Sequence, residues 1–232
     1  MPDYREVYEH HADRYDTLVS HEDHEGNLGR ALFELMGERS LDVVETGAGT
    51  GRLTRLIAPR ARTVKAFDAA APMIDVAKQS LPSVEWGVAL HDALPVPDAS
   101  ADFALEGWAF GHALAWNPTG WRDDLQRWVR ELERIVRPGG TLVMIETMGT
   151  GVATPFEGGH SLEPFHAFAL ETLGFSHRVL RTDYAFATVD EAAQTLGFFF
   201  GARLITRVRE NGWTVVPECT GLYWRQRADA VA

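Results

Sequence analysis

The sequence predicts an α/β fold, a doubly wound and mostly parallel sheet with helices on both faces. Three observations carry that prediction. Short apolar runs rich in β-branched residues alternate with segments whose apolar residues recur every three or four positions. A strand over 41–45 runs directly into Gly47-Ala48-Gly49-Thr50-Gly51, a glycine-rich turn that opens a helix. Acidic residues then follow at the ends of the next strands, the edge at which open α/β sheets bind ligands.

Residues 1–25 read as a polar, partly helical arm carrying Tyr4, Tyr8 and Tyr15. Leu28, Ala31, Leu32, Leu35 and Met36 keep helical spacing. After the first strand, Leu53, Leu56 and Ile57 line one face of a helix that Pro59 stops. Residues 63–67 predict a second strand ending at Asp68. Pro72, favourable in a first turn, opens a helix over 73–79. Strands follow over 84–88 and 103–105. Trp121, Leu125, Trp128, Val129, Leu132, Ile135 and Val136 make the clearest amphipathic helix, closed by Pro138-Gly139-Gly140. Residues 141–145 form a continuous apolar run, as in a central strand covered on both faces. Residues 161–174 look helical and 178–186 extended. Thr188-Val189-Asp190-Glu191 is a capping box that starts another helix. A last strand over 213–224 carries Pro217, which suits an edge or a bulge.

This pattern predicts one domain over 1–232. Its parts are an N-terminal arm (1–25), a core that carries the glycine turn (26–146), a candidate cover over a site (147–175) and C-terminal strands with a helix (176–232). The chain has 232 residues, 45% of them apolar and 24% charged, ordinary for a soluble globular domain. Its formal charge of −11 repels phosphate backbones, so no nucleic-acid partner is expected. A single cysteine, Cys219, excludes an internal disulfide and a cysteine-based metal cluster, and no metal is expected. No apolar run approaches the ~18–20 residues of a membrane span, and the polar start does not read as a secretory leader. A cytoplasmic location with no membrane partner is the expectation. The sequence says nothing about oligomeric state.

The glycine turn selects among ligands. Dinucleotide folds use GxGxxG, and here the third position of that pattern is Arg52. Glu45, two places before the glycines, sits badly beside a pyrophosphate and well beside an ammonium and a sulfonium. No Gly-Lys-Ser/Thr follows, so a Walker loop is absent. Asp68 is placed to accept from two ribose hydroxyls. Asp92 is placed to accept from an adenine amino group, and Asp102 precedes the fourth strand. Each Asp taken singly also fits a turn or helix-cap residue.

Four segments together resemble the class I, Rossmann-like S-adenosylmethionine-dependent methyltransferases of the type 11 group. They are Val-Val-Glu-Thr-Gly-Ala-Gly-Thr-Gly (43–51), Phe-Asp-Ala-Ala-Ala-Pro-Met-Ile (67–74), His-Asp-Ala-Leu-Pro-Val-Pro-Asp (91–98) and Glu-Leu-Glu-Arg-Ile-Val-Arg-Pro-Gly-Gly-Thr-Leu (131–142). The resemblance implies a seven-stranded sheet with an antiparallel last strand. It also implies a hairpin made by 178–186 and 213–224. It assigns Glu45, Thr46, Gly47, Ala48, Gly49 and Gly51 to the methionine part of S-adenosylmethionine and Asp68 with Ala69 to the ribose. Met73, Asp92 and Ala93 fall to the adenine, and Glu106 and Gly107 to the methionine end. Tyr15 would cover the cofactor. Thr46 stands where many relatives have Leu or Val.

A sulfonium is already activated, so in-line methyl transfer needs an aligned acceptor. A base is needed only for an acceptor that binds protonated. His112 is the best-placed candidate, ahead of His160, His166, Glu146 and Tyr184. The competing reading of His112 is a surface or helix-start histidine. Trp108, Phe110, Trp116, His160, Phe165 and Phe168 are candidates for the acceptor pocket. An NPPY-type signature is missing, since Asn117-Pro118-Thr119-Gly120 is only superficially similar. The expected function is methyl transfer to a small organic acceptor. The alternatives are methylation of tRNA or a protein side chain, a non-catalytic cofactor-binding module, and a nicotinamide oxidoreductase.

Overall fold

A computed structural model describes residues 4–228. Helices α1 (Tyr4–His10), α2 (Ala12–Ser20) and α3 (Asn27–Met36) lead into β1 (Asp42–Thr46). Then α4 (Arg52–Ile57), β2 (Thr63–Asp68), α5 (Ala71–Ser80), β3 (Glu85–Val88) and β4 (Ala101–Gly107) alternate. Next come α6 (His112–Trp116), α7 (Trp121–Ile135), β5 (Val136–Thr150), α8 (Glu163–Glu171), β6 (Ser176–Arg181) and β7 (Tyr184–Ala185). Helices α9 (Val189–Phe200) and α10 (Ala202–Asn211) precede β8 (Val215–Val216) and β9 (Glu218–Gln226). The seven-stranded sheet has the order β3-β2-β1-β4-β5-β9-β6, with β7 and β8 paired apart from it. Strands β1 to β5 pair in parallel. The last strand, β9, runs antiparallel between β5 and β6, as the resemblance implies. The strand order reverses between β1 and β4, which opens a crevice at their carboxyl ends.

Side-chain alternation explains the central strands. Phe103, Leu105, Val143 and Ile145 point to the face covered by Leu28, Leu32, Leu53 and Ile57 of α3 and α4. Ala104, Leu142 and Met144 point to the other face, under Leu125, Val129 and Leu132 of α7. A strand covered on both sides therefore reads as one apolar run. Helix α7 ends at Ile135 and the chain enters β5 at once. Gly140 is required there, because a Cβ would come 2.7 Å from the Asp102 carbonyl oxygen. Arg134 braces the loop before β4, donating to Glu131, Asp98 and the Val96 and Leu94 carbonyls.

Two expectations change. The strand expected over 178–186 is interrupted at Thr182 and Asp183, so β6 joins the main sheet and β7 leaves it. The hairpin between 178–186 and 213–224 therefore carries two helices, α9 and α10, rather than one. Thr188 accepts from the Glu191 N–H and Glu191 accepts from the Ala187 N–H, so the capping box is real. Within residues 147–175, β5 runs on to Thr150, and α8 lies on the sheet with Phe165 and Ala169 fully buried. Helices α2 and α9 pack together through Leu18, Ala193 and Leu196, and α1 meets α9 where Tyr4 and Tyr8 approach Phe199. No helix among the described residues is long and apolar enough to cross a membrane.

Phe103, 1% exposed, fills the centre of one face. Phe103→Ala is expected to cost about 3–5 kcal/mol, read as a lower urea midpoint with an unchanged m-value.

Candidate functional site

Strand β1 delivers Glu45 and Thr46 to the glycine loop. Gly47, Gly49 and Gly51 have φ of +65°, +54° and +88°, a conformation that side chains with a Cβ resist. A Cβ on Gly47 would strike the Ala109 methyl, and one on Gly51 would come 2.8 Å from the Trp86 ring. The Ala48 N–H donates to the Phe67 carbonyl at 3.0 Å, pinning the loop to β2. Asp68 completes the lock. One carboxylate oxygen accepts from the Gly49 N–H at 2.8 Å and the other from the Ala70 N–H at 2.8 Å.

Three carboxyls lie buried beside this loop. Glu45 is 1% exposed and accepts from the Thr54 hydroxyl. Burial pushes it up to about 8, Asp68 and Glu106 push in the same direction, and Thr54 opposes. Glu106 accepts from the N–H groups of Ala109, Phe110 and Ile145. Burial still raises it to about 8 against those bonds. Glu146 accepts from the Gly111 N–H, and burial followed by Glu106 drives it well above the usual carboxylate range. None of the three has an ion-pair partner among the described residues. Burial is the leading cause in all three, and it favours the protonated form.

The arm closes over this floor with aromatic rings. Tyr15 stands over the loop, 3.7 Å from where a Gly49 Cβ would be. Its ring meets Tyr8 edge-on at 5.5 Å and Phe199 of α9 at 5.6 Å. The Tyr8 hydroxyl lies 2.7 Å from His112 Nε2. His112 stacks on Trp116 at 4.6 Å, and burial followed by His91 lowers its pKa to about 4. Arg52, the first residue after the loop, pairs with Glu22 at 2.7 Å and lies 3.8 Å over the Trp108 ring. Its Nη2 and the Thr50 hydroxyl are buried with no hydrogen-bond partner. Trp108 itself has φ of +54°, a strained backbone state for a bulky residue.

The structure thus brings together Tyr15, the glycine loop, Asp68, Glu106, Trp108, His112 and Trp116. Others are placed differently from the sequence reading. Glu45 is buried and accepts from the Thr54 hydroxyl of α4. Asp92 turns to Arg127, 2.7 Å away, because chain alternation after β3 points its neighbour His91 inward to Thr46 at 2.8 Å. Met73 is buried on the inner side of α5. Ala69 and Ala93 are exposed. Gly107 is a packing glycine, since a Cβ would come 2.5 Å from Leu53. Phe110 and Phe165 are fully buried core residues and line no pocket. His160 accepts from the Leu162 N–H in the turn before α8. His166 bonds Tyr223, and Tyr184 packs in the core shared by α2 and α9. Sequence reasoning missed Tyr8, His91 and Phe199, and it used Arg52 only to exclude a dinucleotide. Only Arg52 had a local signal, its place directly after the loop. Among the described residues no group of three or more His, Cys, Asp or Glu could hold a metal.

Comparisons with known proteins agree with this geometry. Residues 44–144 match the model of the methyltransferase domain family. The chain is 33% identical over 135 residues to a malonyl-[acyl-carrier protein] O-methyltransferase of Hahella chejuensis, covering 56% of this chain and 44% of that one. The chain therefore spans less than half the length of such curated relatives. A SAM-dependent methyltransferase from Aquifex aeolicus superposes with a TM-score of 0.53 at 18% identity, over 90% of this chain and 96% of that one. Haemonchus contortus phosphoethanolamine N-methyltransferase 2, solved with phosphomonomethylethanolamine and S-adenosylhomocysteine, superposes with a TM-score of 0.60 at 14% identity, over 98% and 59%. Strand order, glycine loop and this match together mark residues 44–144 as similar to the methyltransferase domain family, on a Rossmann-like fold.

Proposed function

We propose that the chain transfers the methyl group of S-adenosylmethionine to a small organic acceptor by in-line displacement. One observation carries the reading. A glycine cradle locked by Asp68 lies beside buried carboxyls that no ion pair compensates among the described residues and that burial pushes upward. The residues fit the cofactor in three further ways. The left-handed glycines leave room for close approach. The unpartnered Arg52 Nη2 and Thr50 hydroxyl suit a carboxylate such as that of an amino-acid end. Tyr15 supplies an aromatic cover.

Bound there, the cofactor supplies an electrophilic methyl group on a sulfonium. The chain supplies the rest. Glu106 and Glu146 offer negative charge that ionises when a cation arrives and that is fixed by backbone donors. The rings of Tyr8, Tyr15 and Phe199 exclude water while charge disperses. Asp68 would take the ribose hydroxyls as well as hold the loop. A small acceptor is favoured by the charge of −11 and by the closed aromatic arm. The Hahella relative is named for O-methylation, which favours an oxygen acceptor. Transfer of labelled methyl to a small-molecule panel, with bulk tRNA and casein as controls, tests this. Binding of S-adenosylmethionine without any transfer would favour a non-catalytic module, and binding of NAD alone would overturn the reading.

Asp68→Ala is expected to weaken S-adenosylmethionine binding by about 1–3 kcal/mol, since ribose and loop both lose a partner. Isothermal titration measures it, and unchanged affinity removes the ribose role. Gly49→Val is expected to abolish binding, because a branched side chain at φ +54° both strains the turn and fills the approach under Tyr15.

The buried carboxyls set a pH dependence. A carboxyl raised to about 8 adds stability fully below its unfolded value of 4.5 and loses it as pH rises through 8. His91 and His112, lowered to about 4, add stability above 6.5 and lose it as pH falls through 4. Between pH 6.5 and 8 the carboxyls act alone, so the ligand-free protein is expected to lose stability across that window. Glu45→Gln should flatten the slope. Cofactor uptake at pH 7 should release protons, seen as a binding enthalpy that differs between phosphate and Tris buffers.

A further inference from the structure

The chain leaving β3 departs from the adenine assignment that the resemblance implies. Asp92 is held by Arg127 of α7, which Asp124 also holds. The Ala93 N–H donates to the Leu90 carbonyl at 3.2 Å. Both polar groups of that pair are therefore spent within the protein. His91 turns inward in their place. Its Nδ1 lies 2.8 Å from the hydroxyl of Thr46, the residue that stands where many relatives have Leu or Val. Its Cε1 comes within 3.1 Å of where a Gly47 Cβ would be. Two residues earlier, the Ala89 N–H donates to the Asp68 carbonyl at 3.1 Å. His91 thus lies against the first glycine of the loop, on a segment pinned to the residue that locks that loop. Phe110 and Trp128 meet its ring edge-on at 5.2 and 4.9 Å and hold its plane. Its chain neighbours Val88 and Leu90 are 58% and 62% exposed, apolar surface that a flat base can cover.

Thr46 decides the tautomer. Its hydroxyl belongs to a fully buried residue and makes no other hydrogen bond among the described residues, so its proton goes to Nδ1. Burial lowers His91 to about 4 against the pull of Asp92, so the ring is neutral at pH 7. The ring proton is then on Nε2. That nitrogen has no hydrogen-bond partner among the described residues and can donate to a lone pair.

We propose that His91 Nε2–H, in place of Asp92 and the Ala93 N–H, selects the base of the bound cofactor by donating to ring nitrogen N1 of adenine. This rests on the methyl-transfer reading above. N1 lies on the amino-bearing edge, the edge that the resemblance gives to Asp92 and Ala93. It carries a lone pair in adenine and a proton in hypoxanthine. A fixed donor favours the first and repels the second. Thr46 acts through His91 as a positioning residue, because it keeps the ring proton on Nε2.

Isothermal titration of the full chain with S-adenosylhomocysteine and with S-inosylhomocysteine, its hypoxanthine counterpart, tests this. The wild-type protein is expected to bind S-adenosylhomocysteine about tenfold more tightly. His91→Phe keeps a ring between Phe110 and Trp128. It should weaken S-adenosylhomocysteine about tenfold and leave S-inosylhomocysteine no weaker, so the preference disappears. His91→Gln restores an N–H donor and should recover part of it. Thr46→Val lets the ring proton sit on either nitrogen and should lower the preference, and Asp92→Ala should keep it. The proposal is overturned if the wild-type protein binds both ligands equally, or if Asp92→Ala removes the preference. It is equally overturned if His91→Phe weakens both ligands alike, which marks a structural role in the loop. Should His91→Phe fail to fold, Thr46→Val decides, and an unchanged preference there overturns the proposal. Failure of the wild-type protein to bind S-adenosylhomocysteine sinks the methyl-transfer reading itself, and this one with it.

Discussion

The site depends on one carboxylate that is shared between two strands. Asp68 ends β2, yet both its oxygens are spent on backbone N–H groups, one in the loop that follows β1 and one at the start of α5. That double acceptance holds three glycines in a left-handed turn that would otherwise be among the most mobile parts of the chain. A backbone held this way exposes N–H groups and leaves room where side chains would stand. Every further element of the site is placed relative to that turn. Tyr15 stands over it, and Arg52 leaves from its far end.

Charge then explains why so tight an enclosure exists. Burying Glu45, Glu106 and Glu146 together is unfavourable in their ionised form, and the backbone donors around Glu106 and Glu146 only partly offset this. Burial therefore pushes all three toward the protonated form. The strain at Trp108 belongs to the same arrangement. Its left-handed backbone places the ring against the Arg52 guanidinium, where β4 hands the chain to the turn that leads to His112 at the start of α6. The aromatic arm adds the exclusion of water that such a site requires.

What could be read from the residues alone follows local physics. The glycine turn, the strand ends at Asp68 and Glu106, the amphipathic α7 and the capping box at Thr188 each carry their cause within a few residues. The doubly wound sheet follows from their alternation. Phe165 and Phe110 were misassigned because an aromatic residue beside a predicted site has the same local pattern whether it lines a pocket or fills a core. Asp92 meets Arg127 while His91 turns inward to Thr46, and which of these neighbours faces inward depends on the turn after β3. Residues 147–175 read as a cover because they lack periodicity, whereas α9, which packs against the arm, is periodic and reads as ordinary helix.

The sequence by itself therefore determined the sheet, its ligand-binding edge and the chemistry of the glycine loop, because these rest on backbone conformation and on contacts between neighbours in the chain. Tertiary structure alone decided which side chains meet above that edge. Tyr8 and His112 are 104 residues apart, and Thr182 and Glu22 are 160 apart. No local pattern records such pairs, since they exist only once the arm and the α9–α10 insertion have packed against the finished sheet.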